Sequence, residues 1–246
     1  MKIITIHKYL TSLFTLATLV STLSREIIIS CVGDSITAGS GASDKKTTSY
    51  PARLEKILCN NSNISYKVHN YGKGGTTVTK KGLGDAPEYE KMSYWDTSQY
   101  KEALNLRADI IIIGFGTNDA KRHNWNESSF VQDYVNFIDT FKSDRIKPKI
   151  FILVPPPLLL PLMFIKLDVV NERFQHVIPK IASIANVGYV NIFEAMGGKK
   201  GKRHLFLDDA KPIKWPNDGC HPNDLGYRVI ALTIAKAILQ KQTLGN

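Results

Sequence analysis

The segment Glu26-Ile27-Ile28-Ile29-Ser30-Cys31-Val32-Gly33-Asp34-Ser35 decides how the rest of the chain is read. From Glu26 to Val32 it is a near-continuous β-branched run without polar alternation. A strand covered on both faces has this composition, because neither face meets water. The run stops at Gly33-Asp34-Ser35, residue types that favour turns and helix caps. A strand of this kind needs helices above and below it, so the remaining sequence must supply both layers.

It does so in alternation. Tyr66 to Tyr71 reads as a second strand and runs into the glycine turn Gly72-Lys73-Gly74-Gly75. Ala108 to Gly114, with four consecutive isoleucines, is a third, and Lys149 to Val154 is a fourth, stopped by Pro155-Pro156-Pro157. Gly188 to Phe193 is the fifth. Between them, Pro51 can occupy the first turn of a helix with Leu54, Ile57 and Leu58 on one face. Phe130, Val131, Tyr134, Phe137, Ile138 and Phe141 recur at helical spacing. Val169 to Ile184 is helical in pattern, with Pro179 expected to kink it or start a new helix. A last helix is expected from about Leu225 to Gln240, with Tyr227, Ile230, Ile234 and Ile238 inward. The expected fold is α/β: a five-stranded parallel sheet between two helical layers, a three-layer α/β/α sandwich. Ligands of such sheets bind at the carboxyl ends of the strands. The loops holding Gly33-Asp34-Ser35, Gly72 to Thr77 and Gly116-Thr117-Asn118-Asp119 should therefore converge on one edge.

The amino terminus reads differently. Lys2, His7 and Lys8 precede an apolar run from Tyr9 to Val20, followed by Ser21, Thr22 and Ser24. A basic start, a short apolar stretch and a small-residue exit describe a secretory signal peptide over 1–24, ahead of a single domain over 25–246. An uncleaved signal anchor is the alternative, although the run is shorter than the roughly 20 apolar residues of a membrane span. Ile28-Ile29-Ser30-Cys31 resembles a lipidation box, but cleavage there would destroy the first strand. Secretion, or delivery to an extracytoplasmic or endomembrane lumen, fits three glycosylation sequons, at Asn60, Asn63 and Asn126. Three cysteines make no disulfide framework; Cys31 and Cys59 are expected as small buried hydrophobes. The formal charge is +10, and the lysines cluster at Lys45-Lys46, Lys80-Lys81 and Lys199-Lys200 in loops rich in glycine and threonine. Nucleic-acid binders concentrate such charge on one element with aromatics interleaved, so no nucleic-acid partner is expected. The histidines His69, His123, His176 and His204 show no paired-ligand spacing, and no loop cradles phosphate, so neither a metal nor a nucleotide cofactor is expected.

Ser35 can stand exposed where a buried strand ends, but a serine hydroxyl needs an adjacent base. Asp218-Gly219-Cys220-His221-Pro222 can supply one. The three-residue spacing lets the Asp218 carboxylate reach one ring nitrogen of His221 and leaves the other for Ser35. Gly75, in a tight turn, can offer a backbone N–H to an oxyanion; Asn118 can offer its amide, and the Ser35 N–H is a third donor. Asp119 is expected to order its own loop.

Gly33-Asp34-Ser35-Ile36-Thr37, Asn70 with Gly72 and Gly75, Gly116-Thr117-Asn118-Asp119 and Asp218-Gly219-Cys220-His221-Pro222 resemble, in order, the four sequence blocks of SGNH hydrolases, the GDSL-type esterases. The likeness spans Glu26 to the carboxyl terminus. It implies a flavodoxin-like fold, Ser35 as nucleophile, Gly75 and Asn118 as oxyanion donors, and Asp218 and His221 as the other triad members. Two departures stand out. Gly74-Gly75-Thr76 replaces the common Ser-Gly-Asp or Ser-Gly-Ala, which leaves Gly74 as an alternative donor. Cys220 occupies a more often aliphatic position and is expected to be a packed thiol.

The stretch from Gly116 to Trp125, with Ser49-Tyr50-Pro51, is similar to the carbohydrate O-acetylesterase branch, of the sialate and acetylxylan kind. The resemblance implies a glycan or small-molecule ester as substrate, with Asp34 and Trp125 as candidate substrate contacts and Trp125 able to stack on a sugar. A lipase or lysophospholipase is the competing enzyme, for which Leu158, Leu159, Leu160, Leu162, Met163 and Phe164 would line an acyl pocket. A silent glycan-binding module is the third reading; it would need none of Ser35, Asp218, His221, Gly75 and Asn118.

Overall fold

The computed structural model describes residues 25–80, 92–142, 147–162 and 164–243. The expected signal segment 1–24 lies outside them, as do Lys81 and Met163.

Five strands, β1 (Ile27–Gly33), β2 (Tyr66–Gly72), β3 (Ile110–Gly114), β4 (Lys149–Val154) and β5 (Gly188–Asn191), form one sheet in the order β2-β1-β3-β4-β5. Every pairing is parallel. Period-two alternation divides the core. Val32, Ile111, Ile113, Ile150 and Ile152 face a layer containing α4 (Glu127–Thr140) and α5 (Phe174–Ile184). Ile29, Cys31, Ile110, Ile112, Phe151 and Leu153 face the layer of α2 (Tyr50–Asn60) and α7 (Asp224–Thr243). The expected three-layer α/β/α fold is the one observed. Burial on both sides is why the isoleucine run of β3 shows no polar alternation.

The chain leaves β1 for β2 on one side and later returns to β3 on the other. The carboxyl ends of β1 and β3 therefore flank a topological switch point, where side chains from separate crossovers can meet. The short helix α1 (Ser35–Ala38) sits at this point. Gly72 lets it pack against the end of β2: a Cβ there would lie 2.1 Å from Ala38 N.

Several expectations are corrected. Helix α3 (Ser98–Leu106) had no clear signal, because Ala103 is its one fully buried residue; it starts where Thr97 Oγ1 accepts from Tyr100 N. Strand β5 ends at Asn191 rather than Phe193, because the Asn191 side chain accepts from Glu194 N and starts α6 (Ile192–Ala195). Pro179 lies inside α5 without ending it; the irregularity is a π-type turn at Val169–Arg173, ahead of the helix. Cys31 is buried as expected, but Cys59 is exposed near the end of α2, away from the face that carries Leu54 and Leu58.

Candidate active site

The site starts from the end of β1. Asp34 has extended backbone angles, and its Oδ1 accepts from Ile36 N at 2.9 Å, which caps α1. Ser35 thus occupies the first helical position, partly exposed among buried neighbours. Asp34 N donates to Gly114 O and Lys73 N donates to Gly33 O, so the ends of β1, β2 and β3 are stitched together below the serine.

The Asp218 turn approaches from the other end of the chain. Asp218 Oδ1 accepts from Cys220 N at 2.9 Å and His221 N at 3.0 Å, which fixes the carboxylate relative to the ring. His221 Nδ1 donates to Asp218 Oδ2 at 2.8 Å, since a carboxylate only accepts. That tautomer leaves the Nε2 lone pair facing Ser35 Oγ, which donates to it at 2.9 Å. Both Asp218 and His221 are buried. Burial pushes the Asp218 carboxyl up, but the hydrogen bonds and charge of His221 outweigh it and hold the group below its ordinary value. The arrangement can move a proton from the hydroxyl to the imidazole and stabilise the resulting cation.

Opposite lie the candidate oxyanion donors. Gly75 has φ of +80°, a conformation that favours glycine, and presents an open backbone. Gly74 borders the serine directly, since a Cβ on it would lie 3.7 Å from Ser35 Cβ. Asn118 Nδ2 donates to Thr76 O at 3.1 Å, which ties the β3 loop to the glycine loop with one of the two amide hydrogens. Asn124 Nδ2 donates to Asn118 O at 3.0 Å and holds that loop from behind.

Asp119 ties its loop to another segment: its Oδ1 accepts from Thr79 N and Thr79 Oγ1, both at 3.0 Å. Burial, against the two Thr79 bonds and with the Asp34 charge nearby, pushes its carboxyl up to about 7. Burial likewise raises Asp34 to about 6, against the Ile36 hydrogen bond and the His221 charge.

Ser35, Asp218 and His221 are thus brought together, and the loop of Gly74 and Gly75 is tied to that of Asn118. Asp34 is buried with its side chain turned to the α1 cap. The Trp125 ring, half-buried, packs edge-on to Phe174 and tilted against Phe130, against the core of the α4–α5 layer. Cys220 is a buried thiol packed in that same core. Met92 had no sequence signal as a site residue, yet its Cε lies 3.6 Å from a Cβ built on Gly75. No periodicity could have found it, because its position depends on a pairing across the chain in which Thr77 N donates to Met92 O. Among the described residues no group of three or more His, Cys, Asp or Glu side chains could hold a metal ion. No helix among them is long and apolar enough to cross a membrane.

Comparison with known proteins bears on the family and the fold. A model of the GDSL-like lipase/acylhydrolase family matches residues 31–229. An acetylxylan esterase of Xylanibacter ruminicola is 30% identical over 230 residues, covering 86% of this chain. The chain spans 43% of that protein's length. Among solved structures, a lipase/acylhydrolase from Enterococcus faecalis superposes with a TM-score of 0.63 at 20% identity, covering 87% of this chain and 96% of that one. A family two carbohydrate esterase from Clostridium thermocellum gives 0.58 at 18% identity, covering 88% of this chain and 65% of that one. At these identities the structural likeness bears on the fold.

Proposed function

The chain belongs to the GDSL-like lipase/acylhydrolase family, and from that premise we propose that it is a serine esterase removing short acyl groups, chiefly O-acetyl groups, from carbohydrates. The observation that carries the reading is the line Ser35 Oγ–His221 Nε2 at 2.9 Å and His221 Nδ1–Asp218 Oδ2 at 2.8 Å. In this reading His221 takes the Ser35 proton as Oγ attacks the ester carbonyl. The Ser35 and Gly75 N–H groups and the second Asn118 amide hydrogen receive the tetrahedral oxyanion. As the intermediate collapses and its bond to the sugar oxygen breaks, the His221 imidazolium gives that oxygen its proton, leaving an acyl-enzyme and a free sugar hydroxyl. Water then attacks the acyl carbonyl with His221 again as base, releasing the carboxylic acid. The acetylxylan esterase likeness supports the choice of acyl group and sugar.

A longer-chain lipase reading is favoured by one observation. Leu159 and Leu160 line the Asp218–His221 turn, within 3.3 Å of a Cβ built on Gly219, and could guide an aliphatic chain. A chain-length series of p-nitrophenyl esters, run beside acetylated xylan, separates the two. Best turnover with acetate, together with release of acetate from xylan, is expected; a preference for octanoate or longer would refute the acetyl reading. Ser35→Ala should abolish all turnover with the fold intact by circular dichroism, and substantial residual activity would remove Ser35 as nucleophile.

A further inference from the structure

We propose that the groove flanking the His221 turn, together with the exposed Trp215 that directly precedes its lining residue Pro216, is a binding subsite for sugar residues of the glycan that carries the ester. The inference rests on the carbohydrate-ester reading and adds to it where the polymer lies.

The loop 208–217 is held from within by Asn217. Its Oδ1 accepts from Asp208 N at 2.8 Å, and its Nδ2 faces Asp208 O, Lys211 O and Pro212 O at 3.2–3.3 Å. Lys214 N also donates to Asn217 O. A loop so thoroughly bonded is an ordered platform, yet it leaves Ile213 59% and Trp215 64% exposed. Large apolar side chains displayed on fixed backbone mark a contact surface.

Pro216 and Asn217, immediately after Trp215, line a groove of about 640 Å³ between this loop and the start of α7. That volume lies within the ~300–1,000 Å³ of ordinary ligand sites. The opposite wall abuts the site: a Cβ on Gly41 would lie 3.2 Å from His221 Cβ. Asn217 also directly precedes Asp218, so groove and triad share one turn of backbone.

The lining chooses the occupant. Asp208, Asp224 and His204 offer carboxylate and imidazole groups beside Lys211, which pairs with Asp208 at 2.9 Å, while Asp224 already accepts from Ser43 N and Oγ. Sugar hydroxyls donate to the carboxylates, whose oxygens keep spare lone pairs. The C–H face of a pyranose suits an indole, which offers a large flat apolar surface with one polar edge. With Lys211 paired to Asp208, the lining carboxylates still outnumber its one lysine, so an anionic lipid headgroup would meet net like charge there. A glycan with its acyl ester at Ser35 and neighbouring sugars along Trp215 fits both halves.

The test compares wild type, Trp215→Ala and Trp215→Phe on p-nitrophenyl acetate and on acetylated xylo-oligosaccharides. For Trp215→Ala, the ratio of KM on the oligosaccharide to KM on p-nitrophenyl acetate should rise about ten-fold, the scale of one lost aromatic contact. Trp215→Phe should recover most of it, which a merely structural role for the indole would not produce. In a Ser35→Ala background, Trp215→Ala should weaken calorimetric binding of the deacetylated oligosaccharide by a similar factor. Acetylated oligosaccharide turned over with an unaltered ratio in Trp215→Ala overturns the subsite while the esterase reading stands. Turnover of p-nitrophenyl acetate but of no acetylated glycan overturns the carbohydrate reading, and the subsite with it. Loss of binding to phosphatidylcholine vesicles at an unaltered ratio would assign the loop to a lipid surface and refute the proposal.

Discussion

Asp119→Asn should make the protein less sensitive to alkaline pH. The wild-type carboxyl is fully buried, accepts only from Thr79 through Oδ1, and has no hydrogen-bond partner for Oδ2. An ionised group so placed is poorly compensated for its lost hydration, and its pKa rises from 3.8 to about 7. Because the folded state holds the proton more tightly, the associated stability is present at acid pH and fades as pH climbs through the folded pKa. With those two values, the loss between pH 5 and pH 8 is about 2–3 kcal/mol, at about 1.4 kcal/mol per tenfold in proton affinity. Asparagine keeps the acceptor for Thr79, nearly matches the shape and does not titrate. Urea unfolding of both proteins at pH 5 and pH 8 isolates the difference, since other titrating groups contribute to both. The wild type should therefore lose about 2 kcal/mol more than Asp119→Asn over this interval. Equal losses would refute the claim that a buried, half-satisfied carboxyl sits here.

The catalytic geometry gives two sharper outcomes. Asp218→Asn should lower kcat on p-nitrophenyl acetate by about 10⁴, because an amide facing Nδ1 can donate and so place the ring proton on Nε2, toward Ser35. A fall of less than tenfold would show that Asp218 does not set the tautomer. Asn118→Ala should reduce kcat by about 10²–10³ with a smaller effect on KM, since its amide is needed most when the oxyanion forms. An unchanged kcat would take Asn118 out of the oxyanion hole.

The sheet was legible because burial on both faces writes itself locally: Ile110 to Ile113 need no partner to be recognised as a covered strand. Lys149 to Val154 even has matching limits, since three prolines end it in the sequence. Failures fell where local pattern was weak or overruled. Helix α3 buries too little to leave a periodic stripe. The end of β5 depended on whether Asn191 would cap a helix, and Pro179 was absorbed within a helix that packs on both its flanks. Trp125 shows what only packing adds: its ring is half-buried against Phe130 and Phe174, contacts between segments that no local pattern announces.

For Ser35, local composition was enough to show that a small hydroxyl side chain ends a buried strand, because that follows from neighbours in the chain. The sequence also ordered the glycine loop, the Asn118 loop and the Asp218–His221 turn as the segments that would have to converge. The tertiary structure alone decided that His221 stands 2.9 Å from Ser35 across 186 residues of chain. Only the tertiary structure placed Met92 beside Gly75, joined Asp119 to Thr79, and set Trp215 in solvent beside the same turn. The physical reason is the range of the forces: apolar periodicity is read over a few residues, whereas a hydrogen bond between distant segments exists only once two crossovers have packed on one sheet.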